Sequence, residues 1–226
     1  MAALLITATD TEVGKTVLTT SLTAYWQTYR GKKGLGLMKL LQTGVGDQER
    51  YHQLFGADSS IEIKVPLWFK TPVAPPVAAA AEGKTIDLKR VWQEFCALQQ
   101  RQSFVLLEAL GGLGSPVTEE LTVADIAGQW RLETVLVVPV KLGAIAQAVA
   151  NVALARQHQI KLKGIILNCS QPISEEQLKD WTPINLIQSL TSTPVLGILP
   201  YISDLNDLEK LTQAASTLDL EKLLPL

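Results

Sequence analysis

Histidine and cysteine are almost missing from this chain: His52, His158, Cys96 and Cys169 are the only four in 226 residues. A histidine-built metal centre or a Ser/His triad therefore has almost no material to draw on. The cysteines match no metal-ligand spacing and read as reduced core residues. Long apolar runs are also lacking, which excludes a membrane-spanning helix as the organising element. Nor is there an excess of positive charge: 20 Lys and Arg face 22 Asp and Glu, a formal net charge of −2. Without a basic field, neither nucleic acid nor an anionic membrane surface is an expected partner, whereas a small molecule is. The N-terminal stretch has no basic segment and meets Asp10 and Glu12 before a long apolar run can develop. It does not read as a signal peptide, and the cytoplasm is the expected location. What is plentiful is ordinary core material, 47% hydrophobic against 19% charged residues, which suits one globular domain over residues 1–226.

The stretch Leu4 to Thr16, LLITATDTEVGKT, sets Gly14-Lys15-Thr16 between a strand-like apolar run and a helix-like segment. Such a loop aims backbone N–H groups and the positive end of the next helix at anionic oxygens; Lys15 adds a mobile charge and the Thr16 hydroxyl a Mg²⁺ ligand. It is read as an ATP site. The generic phosphate-loop template fails in one respect, because Thr9, preceded by Ala8, stands where the first glycine belongs. The competing reading is an ordinary helix start capped by Thr9 or Asp10, with Lys15 in solvent. The strand-to-helix context favours the phosphate loop.

Apolar runs at Gly34 to Leu41, Ser103 to Leu107, Thr134 to Val140, Gly164 to Leu167 and Pro194 to Leu199 predict further buried strands. Helices are expected between them: one with Leu18, Leu22, Tyr25 and Tyr29 at helical spacing, a short one over DQERYHQLF from Asp47, and one capped by Asp87 that buries Leu88, Val91, Phe95 and Leu98. Proline makes Pro66 to Pro76 a loop. This rhythm predicts an α/β fold of the P-loop NTPase kind, a mainly parallel sheet with helices on both faces. Open parallel sheets bind ligands beyond the carboxyl ends of their strands. Candidates at those ends are Lys39 and Thr43, and Glu108 as a Mg²⁺ carboxylate beside the phosphate loop. Beyond them lie the turn at Gly143, whose helix start suits a carboxylate, and Asn168, whose amide offers both donor and acceptor to a base edge. Plainer alternatives are a surface Lys39 and a Glu108 satisfied by backbone N–H groups.

Taken in series, Thr9-Asp-Thr-Glu-Val-Gly-Lys-Thr16, Lys39 with Gln42-Thr43-Gly44, Glu108 with Gly111-Gly112 and Pro116, Lys141-Leu-Gly143, Asn168, and Gly197 with Pro200 resemble the dethiobiotin synthetase family nearly end to end. The resemblance implies that diaminopelargonic acid, CO₂ and MgATP become dethiobiotin, ADP and phosphate. A substrate amine takes up CO₂ as a carbamate, the γ-phosphoryl of ATP passes to a carbamate oxygen, and the neighbouring amine closes the ureido ring and expels phosphate. Such chemistry needs alignment and charge neutralisation more than acid/base groups. The resemblance gives Lys15 the β- and γ-phosphates and Lys39 the carbamate and the transferred phosphoryl. It wraps the nucleotide in Glu12, Val13, Gly14, Lys15, Thr16 and Val17, with Gly111 opposite. Thr16, Glu108 and Asp47, chosen over Glu49, would hold Mg²⁺. Thr11 and Thr43 would contact carbamate or substrate. Asn168 would read adenine with help from Pro200, Tyr201 and Ile202, and Asp207 stands where the family has a glutamate near the nucleotide. A homodimer is implied, in which the substrate carboxylate reaches the partner's helix start at Gly143, Ala144 and Ile145.

Some positions depart from the family pattern. Ala8 replaces a glycine and Leu110 follows the glutamate, and both are expected to crowd the nucleotide cleft. Ala146 stands where an asparagine is expected. Two rival readings are a regulatory ATPase like ParA or MinD and a degenerate relative that binds nucleotide without catalysis. Asp10 argues against the first, because the deviant loop of those ATPases carries a lysine there.

Overall fold

The computed structural model describes residues 2–31 and 33–225. The chain enters as β1 (Ala2–Ala8) and passes through the phosphate loop into α1 (Lys15–Arg30). β2 (Leu35–Lys39), the two-residue β3 (Gln42–Thr43), α2 (Asp47–Phe55), β4 (Ile61–Lys64) and the two-residue β5 (Trp68–Phe69) follow. Next come α3 (Pro75–Ala81), α4 (Leu88–Arg101) and β6 (Phe104–Glu108). The second half runs α5 (Val123–Gln129), β7 (Glu133–Pro139), α6 (Ala144–Gln157) and β8 (Lys161–Asn168). It closes with α7 (Glu175–Trp181), α8 (Ile184–Thr191), β9 (Val195–Leu199), α9 (Leu208–Ala215) and α10 (Leu220–Leu223).

Seven strands form one sheet in the order β4-β2-β6-β1-β7-β8-β9, and every pairing is parallel. The chain fills the positions on one side of β1 before crossing to β7 on the other, which opens a crevice above the end of β1. Period-two alternation divides the side chains. Leu4, Ile6 and Ala8 pack with Leu35, Leu37, Phe104 and Leu106 beneath α1, α2 and α9. Leu5, Met38, Val105 and Leu107 face α3, α4 and α5, while Leu136, Val138, Ile165 and Leu167 meet α6 and α8. Both faces are covered, as near-continuous apolar strands require.

Local signals account for most elements. Asp87 caps α4 by accepting from the Arg90 amide, and Val91, Phe95 and Leu98 are buried along its inner face, each contributing about 1.5–3 kcal/mol. In α1, Leu18 and Leu22 are buried but Trp26 takes the next inward place, stacked on Phe104. Tyr29, in the last turn, packs on Tyr25 and stays 62% exposed, so it is not part of the core row. Within the proline-rich segment, β5 pairs with β3 as a separate parallel ribbon.

Candidate active site

The site grows out of core rows that end in polar groups. The inward row of β2 reads Leu35, Leu37, Lys39, and that of β6 reads Phe104, Leu106, Glu108. Parallel register sets Lys39 beside Glu108 and Glu108 beside Ile6, so both side chains leave the sheet on the α1 and α2 face. α2 has the same gradient: Asp47, Tyr51 and Phe55, four residues apart, descend one helical face from the cleft into the core. Lys15 and Thr16 open α1 on that side.

Lys39 Nζ donates to Glu108 Oε1 at 2.9 Å and pairs with Asp47 Oδ2. Thr16 Oγ1 lies 2.9 Å from Asp47 Oδ1 and 3.0 Å from Glu108 Oε1. A single hydroxyl proton serves one of these acceptors at a time, so the other contact is oxygen facing oxygen. The Tyr51 phenol donates to Glu108 Oε2, and Lys15 Nζ reaches the Asp10 carbonyl at 3.0 Å. Glu108 has no solvent exposure and Lys39 only 6%, so neither a surface lysine nor an acid held by backbone alone describes them.

Burial works to deprotonate Lys39, but Glu108 and then Asp47 outweigh it and raise its pKa. Burial equally works to neutralise Asp47, and the Lys39 charge chiefly overrides it, holding the carboxyl below its ordinary range. Lys15 is less compensated: burial brings its pKa from 10.5 to about 8, although Glu108 attracts its charge. Burial and the neighbouring Glu108 push the Tyr51 phenol well above its ordinary value, so it remains a donor. Thr16, Asp47 and Glu108 thus present three hard oxygen donors at one point, the chemistry that Mg²⁺ takes. Glu49 turns elsewhere, accepting from the Gly46 amide at 2.8 Å and from Gln42.

Lys15, Thr16, Lys39, Asp47 and Glu108 line a cleft of about 550 Å³ shared with Thr11, Glu12, Gly14, Val17, Thr43 and Gly111. Leu110 forms part of its wall, as expected from its place after the glutamate. Ala8 does not: it continues the inward row of Leu4 and Ile6, is fully buried, and packs beneath α1 instead of crowding the cleft. Gly14 has φ 103°, and a Cβ there would lie 2.1 Å from Asn168 Nδ2, so glycine lets the end of β8 pack behind the loop. Asn168 Nδ2 donates to the Val13 carbonyl at 2.9 Å, while its buried Oδ1 finds no partner among the described residues.

Other expected residues lie outside that lining. Gly143 caps α6 with φ 90°, Ala144 is buried, and Ile145 packs against the α6–α8 core. Pro200, Tyr201 and Ile202 follow β9. The Asp207 carboxylate caps α9, accepting from the Lys210 amide at 3.1 Å and pairing with the Lys210 ammonium. Sequence reasoning missed Tyr51, Leu41 and Pro72, all at the site. Tyr51 stands one helical turn after Asp47 but reads as core from sequence alone; Pro72 had no signal beyond its loop. A separate hollow of about 460 Å³ between α7, α8 and β9 is lined mainly by apolar groups such as Leu178, Ile184 and Ile198.

A parallel sheet with a phosphate loop at its switch point, and lysines and carboxylates beside it, defines a P-loop nucleotide-binding protein. A family model described as an AAA domain matches residues 2–209. The fold is similar to that of a ParA family ATPase from Chlorobium tepidum, with a TM-score of 0.66 and 12% identity over 100% of this chain and 98% of that one. It is also similar to a chain of the MinC:MinD cell division protein complex of Aquifex aeolicus, with a TM-score of 0.62 and 14% identity over 98% and 94%. At such identities the likeness shows the fold alone. Full-length relatives are more specific: the chain is 59% identical to the ATP-dependent dethiobiotin synthetase BioD of Crocosphaera subtropica over 99% of this chain and 100% of that one. It is 54% identical to the same-named protein of Synechocystis sp. over 97% and 94%, and 39% identical to that of Gloeobacter violaceus over 98% and 95%. The chain belongs to the dethiobiotin synthetase family of ATP-dependent ligases.

Proposed function

We propose that this chain makes dethiobiotin from diaminopelargonic acid, CO₂ and MgATP, as a homodimer in the cytoplasm. The observation that carries this reading is Lys39, a buried cation wedged between Asp47 and Glu108 at the phosphate loop, in a chain of this family. Thr16, Asp47 and Glu108 would hold Mg²⁺, which would supply positive charge to offset that of the phosphates. Lys15 binds the β- and γ-phosphates. Lys39, kept charged by its carboxylates, steadies the carbamate oxygen and the transferred phosphoryl as negative charge spreads. Thr11 and Thr43, on the cleft wall, orient the carbamate. The carbamate oxygen bonds to the γ-phosphorus as the bond to ADP breaks. The second amine then attacks the carbamate carbon, and that same oxygen leaves with phosphate. The chain supplies alignment and charge, in keeping with its lack of histidine at the site.

For the nucleotide base, the unpartnered Oδ1 of Asn168 supports contact with the adenine amino group, with the Pro200–Ile202 backbone alongside. Asp207 is a weaker neighbour, because its carboxylate already caps α9. The homodimer is supported by α6, which exposes Ala146, Val149, Ala150 and Ala153 in line with Leu142, itself 82% exposed. A second copy would cover this apolar face. It would also bring the Gly143–Ile145 helix start to the partner's substrate carboxylate. No helix among the described residues is long and apolar enough to cross a membrane.

The test is dethiobiotin formation by purified protein given diaminopelargonic acid, bicarbonate and MgATP, with each omitted in turn. Product only in the full mixture, matched by phosphate release, is the expected outcome. Folded, ATP-binding protein that makes none would leave the degenerate relative as the better reading.

A further inference from the structure

We infer that Tyr51 is a positioning residue for Glu108, fixing which carboxylate oxygen faces the metal and the phosphates. Glu108 has no solvent exposure, so both of its oxygens must find partners inside the protein. Oε1 is turned to Thr16 and Lys39, and Oε2 is held by the Tyr51 phenol. The last torsion of a glutamate is a broad, roughly two-fold rotor, so the side chain alone does not fix this orientation. The hydroxyl is the one polar group of a side chain otherwise embedded in core, one turn above Phe55, and phenylalanine would fill the same space. α2 therefore acts twice: Asp47 gives an oxygen directly, and Tyr51, one turn later, orients the other carboxylate. The inference rests on the Mg²⁺ role proposed for Thr16, Asp47 and Glu108.

The experiment is a Mn²⁺ titration followed by EPR, with a non-hydrolysable ATP analogue present, on wild type, Glu108→Gln, Tyr51→Phe and Tyr51→4-aminophenylalanine. Tyr51→Phe should weaken Mn²⁺ about tenfold or more, the usual effect of removing a partner of a metal ligand. Its affinity for the analogue in EDTA should stay unchanged, and the 4-amino variant, which still donates, should recover most of the loss. If Glu108→Gln weakens Mn²⁺ but Tyr51→Phe matches wild type, the positioning role is overturned while the metal site stands. The positioning role falls equally if Tyr51→Phe loses analogue affinity in EDTA by the same factor, because that is general loosening. If wild type binds no Mn²⁺, or Glu108→Gln binds it as wild type does, the metal reading fails and the inference with it. Should Tyr51→Phe not fold, Tyr51→Met against the 4-amino variant gives the same comparison of donor absent with donor present.

Discussion

The two halves of the sheet's C-terminal edge are built differently. On the β2–β6–β1 side, Thr16, Lys39, Asp47 and Glu108 meet within hydrogen-bond distance, with Lys15 beside them. On the β7–β8–β9 side, Asn168 backs the phosphate loop, Asp207 caps a helix, and Leu142 and Gly143 face solvent. Charge explains the contrast. A buried ion left unpaired costs several kcal/mol, so the first half has to complete itself within one chain. The second half offers amides, backbone N–H groups and apolar surface, which can wait for a ligand or a second copy.

Breaking the first half should therefore cost most. Lys39→Ala leaves Asp47 and Glu108 without their cation, and a denaturation curve should show a loss of about 3–5 kcal/mol. Assayed below its melting point, that variant should lose product formation by about 100- to 1,000-fold while retaining nucleotide affinity. Wild-type activity would remove Lys39 from the mechanism. Against the second half, Val149→Glu puts a charge on the α6 face. Sedimentation should then show monomer, with KM for diaminopelargonic acid raised about tenfold, little more than 1 kcal/mol, and ATP affinity unchanged. Asn168→Ala should weaken ATP by about 1 kcal/mol, one hydrogen bond, as read by calorimetry.

The smallest effect belongs to an ion pair outside both halves. Arg101 binds Glu62 on the surface, and its hydrogen bonds, with help from Gln102 and Lys64, lower the Glu62 pKa from 4.5 to about 2. Because the folded pKa is depressed, this stabilisation is present above pH 4.5 and is lost as pH falls towards 2. Arg101→Ala should lower stability only slightly at neutral pH, and the gap from wild type should close in acid. The same chemistry thus weighs more buried at Lys39 than exposed at Arg101.

Much of this was readable from sequence where the pattern is long or the chemistry local. α2 spans the expected DQERYHQLF, and Asp87 caps α4. Lys39 and Glu108 were legible because each follows an apolar run, and parallel register then sets them side by side. Short or context-dependent elements were not legible. β3 and β5 have two residues each and exist only by pairing with one another. β4 is a four-residue edge strand, and α5 starts from a Thr122–Asp125 capping box with seven residues behind it. Tyr29 sits at core spacing yet ends in solvent, because spacing does not say where a helix outruns its cover. Tyr51 was hidden for the opposite reason: an aromatic in a helical stripe reads as core, and only the fold brings Glu108 to its hydroxyl.

Transfer of the γ-phosphoryl of ATP to a carbamate oxygen in this cleft is open to a direct isotope experiment. Protein is mixed with diaminopelargonic acid, MgATP and CO₂ labelled with ¹⁸O in both positions, and is quenched before the label exchanges with water. One ¹⁸O is expected in each released phosphate and one in the ureido carbonyl of dethiobiotin. Unlabelled phosphate formed together with dethiobiotin would contradict the transfer, because the carbamate oxygen would then never have been bonded to phosphorus.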